Sequence, residues 1–212
     1  MPVRQILLVR HGETDGESSI RYHGSTDLEL SDSGREQMRR LGAQLARDAF
    51  DLVVASPLKR SWRAAWLVGG GRPVRLESDL REIHFGRWEG LTREEIEARD
   101  PVLYEDWQKG AEGFEFPGGE ARESFRERVG RGLERILAAD ASSVLAVLHK
   151  GVIREIVRRL TGEELDGEAP EVGELVWVTR LPDGTWFLGK RSSDPPPLRE
   201  AERELERPAR PA

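Results

Sequence analysis

The chain alternates short aliphatic runs with longer stretches in which apolar residues recur every three or four positions. Gln5 to Val9 is such a run and predicts a buried strand whose C-terminal end delivers Arg10 and His11 to a surface crevice. Gly12 to Leu30, rich in Gly, Ser, Thr and Asp, predicts a long loop, and long loops inside compact domains are often functional. Ser31 then caps a helix with Met38, Leu41 and Leu45 at helical spacing. Asp51 to Ala55 predicts the next strand, and Ser56-Pro57 a helix start with proline in the first turn. Trp62, Ala65, Trp66 and Val68 give this second helix an apolar side, which places Trp66 in the core with Trp88. Gly69-Gly70-Gly71 ends it.

Val74 to Leu76 predicts a third strand. Thr92 followed by Glu95 is a capping box that opens a helical region, interrupted at Pro101. Beyond the Pro117-Gly118-Gly119 loop, Phe125, Val129, Leu133, Ile136 and Leu137 form a helical stripe. Ser143 to Leu148 is the most strand-like run of the second half, Val152 to Leu160 follows as a helix, and Pro182-Asp183-Gly184 predicts a hairpin turn. Strands alternating with helices imply an α/β fold with a largely parallel sheet covered on both faces. Its chemistry is expected at the carboxyl ends of the strands, where His11 and His149 both fall. Residues 1–192 read as one domain. Residues 193–212, with successive prolines and then Arg and Glu, read as a mobile tail in which Leu198 to Leu205 could turn helical against a partner.

Composition then removes function classes. Hydrophobic residues make up 37% and charged ones 34%, leaner than an average globular chain but short of a disordered one. The longest apolar runs, Ile6 to Val9 and Val144 to Leu148, fall far below the ~20 residues that cross a bilayer. A polar Arg10-His11-Gly12 precedes any signal-type apolar region, so the expected compartment is the cytoplasm. Absence of cysteine excludes a disulfide framework, a thiolate nucleophile and a zinc-thiolate site. A net charge of -6 argues against broad nucleic-acid or anionic-membrane binding while leaving room for a local cationic pocket. The four histidines, His23 and His84 among them, lack tight ligand spacing, so neither a metal nor another cofactor is expected.

The glycine-rich loops of nucleotide triphosphatases and dinucleotide enzymes and the Gly-x-Ser-x-Gly elbow of lipase-like hydrolases are absent. What remains is a set of His, Arg and Glu residues at strand ends. A neutral imidazole is a competent nucleophile toward phosphorus near pH 7, and neighbouring guanidinium groups favour that form. His11 beside Arg10, answered by His149 at another strand end, fits this role better than a structural histidine. Phosphoryl transfer is mostly positioning plus cationic hydrogen bonding, which suits the Arg fork. A departing alkoxide needs a proton, which a carboxylic acid can give before deprotonating water in a second step.

Leu8-Val9-Arg10-His11-Gly12-Glu13-Thr14 resembles the opening motif of the histidine phosphatase superfamily, which includes the cofactor-dependent phosphoglycerate mutases. Collinear blocks extend the resemblance: Gly24 through Asp27 to Ser31 and Gly34, Ser56-Pro57-Leu58-Lys59-Arg60-Ser61, Leu80-Arg81-Glu82, Phe85-Gly86-Arg87-Trp88-Glu89-Gly90, Pro117-Gly118-Gly119-Glu120 and Val147 to Arg154. It implies a phosphoglycerate mutase-like three-layer α/β/α sandwich. It also implies a metal-independent phosphomonoesterase of the histidine acid phosphatase type, working through phosphohistidine at His11. Arg10, Arg60 and His149 would bind the phosphoryl group, with Glu82 as acid then base. Gly24, Ser25 and Lys150 would join the substrate site. Glu13 and Glu89 compete with Glu82 for the acid's role. The short segment from Phe85 to Pro117 is similar to the phosphatase branch; a cofactor-dependent mutase and a non-catalytic phosphate-binding or scaffold protein are the alternatives. The expected partner is a small phosphate ester, with no nucleic acid or membrane and with a homodimer left open. Three positions depart from the family pattern. Glu17 stands where many members carry a phosphate-contacting Asn, so either it points away or the pocket differs. Lys150 replaces a common Gly, and Ala121 a frequent Ser.

Overall fold

The computed structural model describes residues 2–45, 50–165, 167 and 169–189, so the expectations for residues 193–212 lie outside it. Strands β1 (Gln5–Arg10), β2 (Leu52–Ala55), β3 (Arg75–Leu76), β4 (Ser143–Leu148), β5 (Leu175–Arg180) and β6 (Trp186–Leu188) form one sheet in the order β3-β2-β4-β1-β5-β6. The first four in that order are parallel, and β5 and β6 are antiparallel additions joined by the expected hairpin. Helices α1 (Asp32–Gln44), α2 (Lys59–Val68), α3 (Arg93–Arg99), α4 (Pro101–Lys109), α5 (Arg122–Leu137) and α6 (Lys150–Thr161) connect and cover it.

The period of two along β1 sorts its side chains into two cores. Ile6 and Leu8 pack with Val129 and Leu133 of α5 and Val152 and Ile156 of α6. Leu7 and Val9 pack with Met38 and Leu41 of α1 and Ala65 and Val68 of α2. The result is the three-layer α/β/α sandwich. Capping sets the helix starts as the sequence indicates: Ser31 Oγ accepts from the Gly34 amide at 3.1 Å, and Thr92 and Glu95 complete their reciprocal box. Among the described residues no helix is long and apolar enough to cross a membrane.

Two local expectations are corrected. Helix α2 begins at Lys59, not at Ser56-Pro57, because Ser56 Oγ accepts from the Leu58 amide at 3.3 Å and holds a turn before the helix. That offset turns Arg60 and Ser61 inward and leaves Trp66 52% exposed, whereas Trp88 is fully buried. The shift matters because the buried face of α2 then carries a guanidinium toward the sheet end. The register of β1 against β4 pairs Arg10 with Leu148, so the next residues, His11 and His149, leave the same edge side by side.

Candidate active site

His11 is 4% exposed, and its Nδ1 lies 2.8 Å from the Gly12 carbonyl oxygen. A ring nitrogen facing a carbonyl carries the hydrogen, so the lone pair is on Nε2. The other contact agrees: Arg60 Nε–H donates to His11 Nε2 at 3.3 Å. Burial first, then the Arg60 and Arg10 charges, hold this imidazole well below its ordinary pKa. It is therefore neutral at pH 7, with its nucleophilic nitrogen turned toward a cation.

Arg60 is fully buried and donates to the carbonyls of Thr26 at 2.6 Å, His23 at 3.0 Å and Gly24 at 2.7 Å. Burial pulls its pKa down to about 10 against the opposing pull of Glu82, Glu89 and Asp27, which leaves it charged at neutral pH. Arg10 donates to the carbonyls of Pro170 at 3.0 Å and Ser18 at 2.7 Å. His149 meets His11 edge to face with ring centroids 5.2 Å apart. Its Nε2 lies 2.6 Å from Ser56 Oγ. The Leu58 amide donates to the same hydroxyl at 3.3 Å, and either ring tautomer of His149 completes the Ser56 contact. Its Nδ1 is buried with no hydrogen-bond partner among the described residues. Burial, then Arg60 and the other neighbours, keep His149 neutral too.

Glu82 is 7% exposed and takes the Gly151 amide on Oε2 at 2.9 Å and the Ile83 amide on Oε1 at 3.0 Å. Arg128, from α5, steadies its backbone by donating to the carbonyls of Asp79, Arg81 and Glu82, while the Glu120 carboxylate fixes Arg128 at 2.6 and 2.8 Å. The two rival carboxylates are occupied elsewhere. Glu13 accepts the amides of Thr14 at 2.8 Å and Ser19 at 3.2 Å. Glu89 accepts from the amides of Gly24, Ser25, Thr26 and Phe85 and from the Ser25 and Thr26 hydroxyls. Burial works against its charge, but these bonds outweigh it and hold Glu89 below the usual carboxylate range.

The structure brings Arg10, His11, Arg60, Glu82 and His149 together. The amides of Gly24 and Ser25 serve Glu89 and the Gly24 carbonyl serves Arg60; like Arg60 and His149, neither residue is on the cleft wall. Gly24 has to be glycine because a Cβ there would sit 1.7 Å from the Ile83 carbonyl oxygen. Lys150 opens α6 half-buried on the cleft wall. Glu17, at φ 58°, turns outward and pairs with Arg21 at 3.2 Å, so the feared clash with a phosphate does not arise. Sequence reasoning missed Ser56, Arg128 and the clamp role of Glu89. Ser56 and Glu89 stand inside recognisable motifs, but Arg128 has no local signal because its partners Asp79 and Glu82 lie more than forty residues away.

A cleft of about 730 Å³ opens over His11, Arg10 and Glu82 and runs outward past Tyr22, Phe85 and Trp107. It holds far more than a phosphoryl group. With a buried neutral imidazole, arginine forks and a backbone-held carboxyl converging at its floor, the comparisons with known proteins define the class. The profile of the histidine phosphatase superfamily (branch 1) matches residues 6–181, and the chain belongs to that superfamily. Its homologues include phosphatases. The glucosyl-3-phosphoglycerate phosphatase of Mycolicibacterium vanbaalenii is 32% identical over 190 residues, covering 84% of each chain. The adenosylcobalamin/alpha-ribazole phosphatase of Escherichia coli is 30% identical over 185 residues, covering 86% of this chain and 87% of the relative. The crystal structure of the alpha-ribazole phosphatase from Shigella flexneri superposes with a TM-score of 0.75 at 27% identity, over 90% of this chain and 96% of that one.

Proposed function

We propose that this protein is a metal-independent phosphomonoesterase, of the histidine acid phosphatase type, acting through a phosphohistidine on a small phosphorylated metabolite. The observation that carries this reading is His11 Nε2: buried, unprotonated and faced by Arg60 at 3.3 Å. The phosphoryl group sits among Arg10, Arg60 and His149. His11 Nε2 attacks phosphorus, the ester P–O bond breaks, and the leaving oxygen takes the proton of the Glu82 carboxyl. In the second step the Glu82 carboxylate removes a proton from water, whose oxygen attacks phosphorus. The P–N bond then breaks, releasing inorganic phosphate and restoring His11. Charge on the equatorial oxygens is met by the Arg10 and Arg60 guanidiniums, which backbone carbonyls hold in place.

The test is hydrolysis of p-nitrophenyl phosphate by wild type and His11→Ala, with acid-labile protein-bound phosphate measured after rapid quench. Wild type forms the adduct and turns over in EDTA, and His11→Ala loses activity by at least about a thousandfold. Turnover in wild type without an adduct, or retained in His11→Ala, would overturn the covalent route. Phosphate exchange between phosphoglycerates faster than phosphate release would place the protein with the mutases instead.

A further inference from the structure

The cleft continues well beyond the atoms that handle the phosphoryl group, and its outer wall is rich in arginine. Of the arginines that line it, Arg21, Arg126 and Arg158 each have a carboxylate partner. Arg21 pairs with Glu17 and Glu95, at 3.2 and 3.0 Å. Glu155, 6% exposed, is shared by Arg126, Arg158 and Arg159 at 3.8, 2.8 and 2.6 Å. Arg93, Arg122 and Arg154 have none within 4.0 Å among the described residues, and of these Arg122, the first residue of α5, is the one held by a carbonyl and a ring together. Among the described residues no carboxylate lies within 4.0 Å of it, and the one charge that acts on it is another cation, Arg126.

Arg122 is nevertheless held in place. Its Nη2 donates to the Trp107 carbonyl at 2.9 Å and its guanidinium lies 5.4 Å over the Phe114 ring. A half-buried guanidinium fixed by one carbonyl and one ring face keeps further N–H donors in a rigid fork. Burial and Arg126 both push its pKa down, the sign of a place short of negative charge. Helix α5 adds to the deficit, since its cap, Ala121, brings no side-chain acceptor to the end where Arg122 sits.

Resting on the phosphomonoesterase reading, we infer that Arg122 is a specificity residue for a second anionic group on the substrate. While His11 and its neighbours hold the phosphoryl group at the floor, Arg122 takes a carboxylate or a second phosphate of the same molecule at the outer wall. Such a group completes the fork with charge-assisted hydrogen bonds that a neutral sugar or alcohol ester cannot make. The substrate class is thus a small phosphate ester with at least two anionic centres.

The experiment compares kcat/KM for three esters, 3-phosphoglycerate, fructose 1,6-bisphosphate and glycerol phosphate, in wild type, Arg122→Met and Arg122→Lys. Thermal melts establish that each variant folds. Wild type prefers at least one doubly anionic ester, and in Arg122→Met the ratio of its kcat/KM to that of glycerol phosphate falls about tenfold or more, through KM. Arg122→Lys, which keeps the charge and loses the fork, falls between. Preference for the carboxylate ester or for the bisphosphate identifies the group. A ratio unchanged by Arg122→Met, or wild type indifferent to the second anion, overturns the inference. Calorimetric titration with 3-phosphoglycerate and glycerol phosphate reads the same contrast without turnover. Differential binding that depends on Arg122 with no hydrolysis of any ester would sink the phosphatase reading and keep the subsite, whereas hydrolysis with an unchanged ratio would do the reverse.

Discussion

At the scale of single residues, the site is organised by groups that never touch substrate. Glu89 gathers the amides of Gly24, Ser25 and Thr26, and the carbonyls of His23, Gly24 and Thr26 in turn hold Arg60 against His11. A carboxylate accepts at every lone pair, but an amide must turn an NH2 toward donors. Glu89→Gln should therefore loosen this loop, costing about 1–3 kcal/mol of stability. It should also lower kcat/KM and move the acid limb of the pH–rate profile to higher pH, because Arg60 is one of the charges that hold His11 neutral. A profile that keeps its shape while only stability falls would reduce Glu89 to a structural role. Most of the cluster around His11 was legible in the sequence, since Arg10, His11 and His149 stand in short motifs at strand ends and Arg60 follows β2 in Ser56-Pro57-Leu58-Lys59-Arg60. That Gly24 lets two backbones meet and gives its carbonyl to Arg60 leaves no mark in one dimension.

At the scale of elements, Glu82, the proposed acid, is placed by the start of α6 and not by its own segment alone. Gly151 gives its amide to Glu82 Oε2, and a Cβ on Gly151 would lie 2.6 Å from Oε1. Gly151→Ala should then push the carboxyl off its position while leaving His11 and Arg60 in place. We expect kcat to fall by about 10²–10³ on esters with poor leaving groups and much less on p-nitrophenyl phosphate, whose leaving group needs little protonation. Rapid-quench measurement should still find the phosphohistidine; losing the adduct as well would mean the damage reaches the nucleophile. Element boundaries explain what the sequence hid here. Ser56-Pro57 looks like a helix start by residue type, yet Ser56 is engaged with Leu58 and His149, so α2 begins three residues later and presents Arg60 inward. The tertiary bond from Ser56 to His149 spans 93 positions, beyond the reach of any local rule. Trp66 faces outward because the buried face of α2 runs through Arg60, Ser61, Ala64, Ala65 and Val68.

For the whole molecule, two buried neutral histidines at one sheet edge tie stability to pH. His11 and His149 both titrate well below the ordinary histidine value when folded, chiefly through burial and then through Arg60. In the unfolded chain each takes up a proton near pH 6.5. Below that pH the unfolded state binds more protons than the folded one, so stability is fully present above about pH 6.5 and is lost as pH falls toward the folded values. Each histidine steepens that fall by at most about 1.4 kcal/mol per pH unit. The carboxylates held low by hydrogen bonds, Glu77, Asp51 and Glu89, contribute in the same direction but only lower, below about pH 4.5 where unfolded carboxyls protonate. The window from pH 6.5 to 5 therefore belongs to the histidines. Urea unfolding of wild type and of His149→Gln across that window should show a shallower pH dependence in the variant, whatever its absolute stability. Equal slopes would mean that His149 takes up its proton as readily in the folded protein as in the unfolded chain, and the neutral state assigned to it would be wrong.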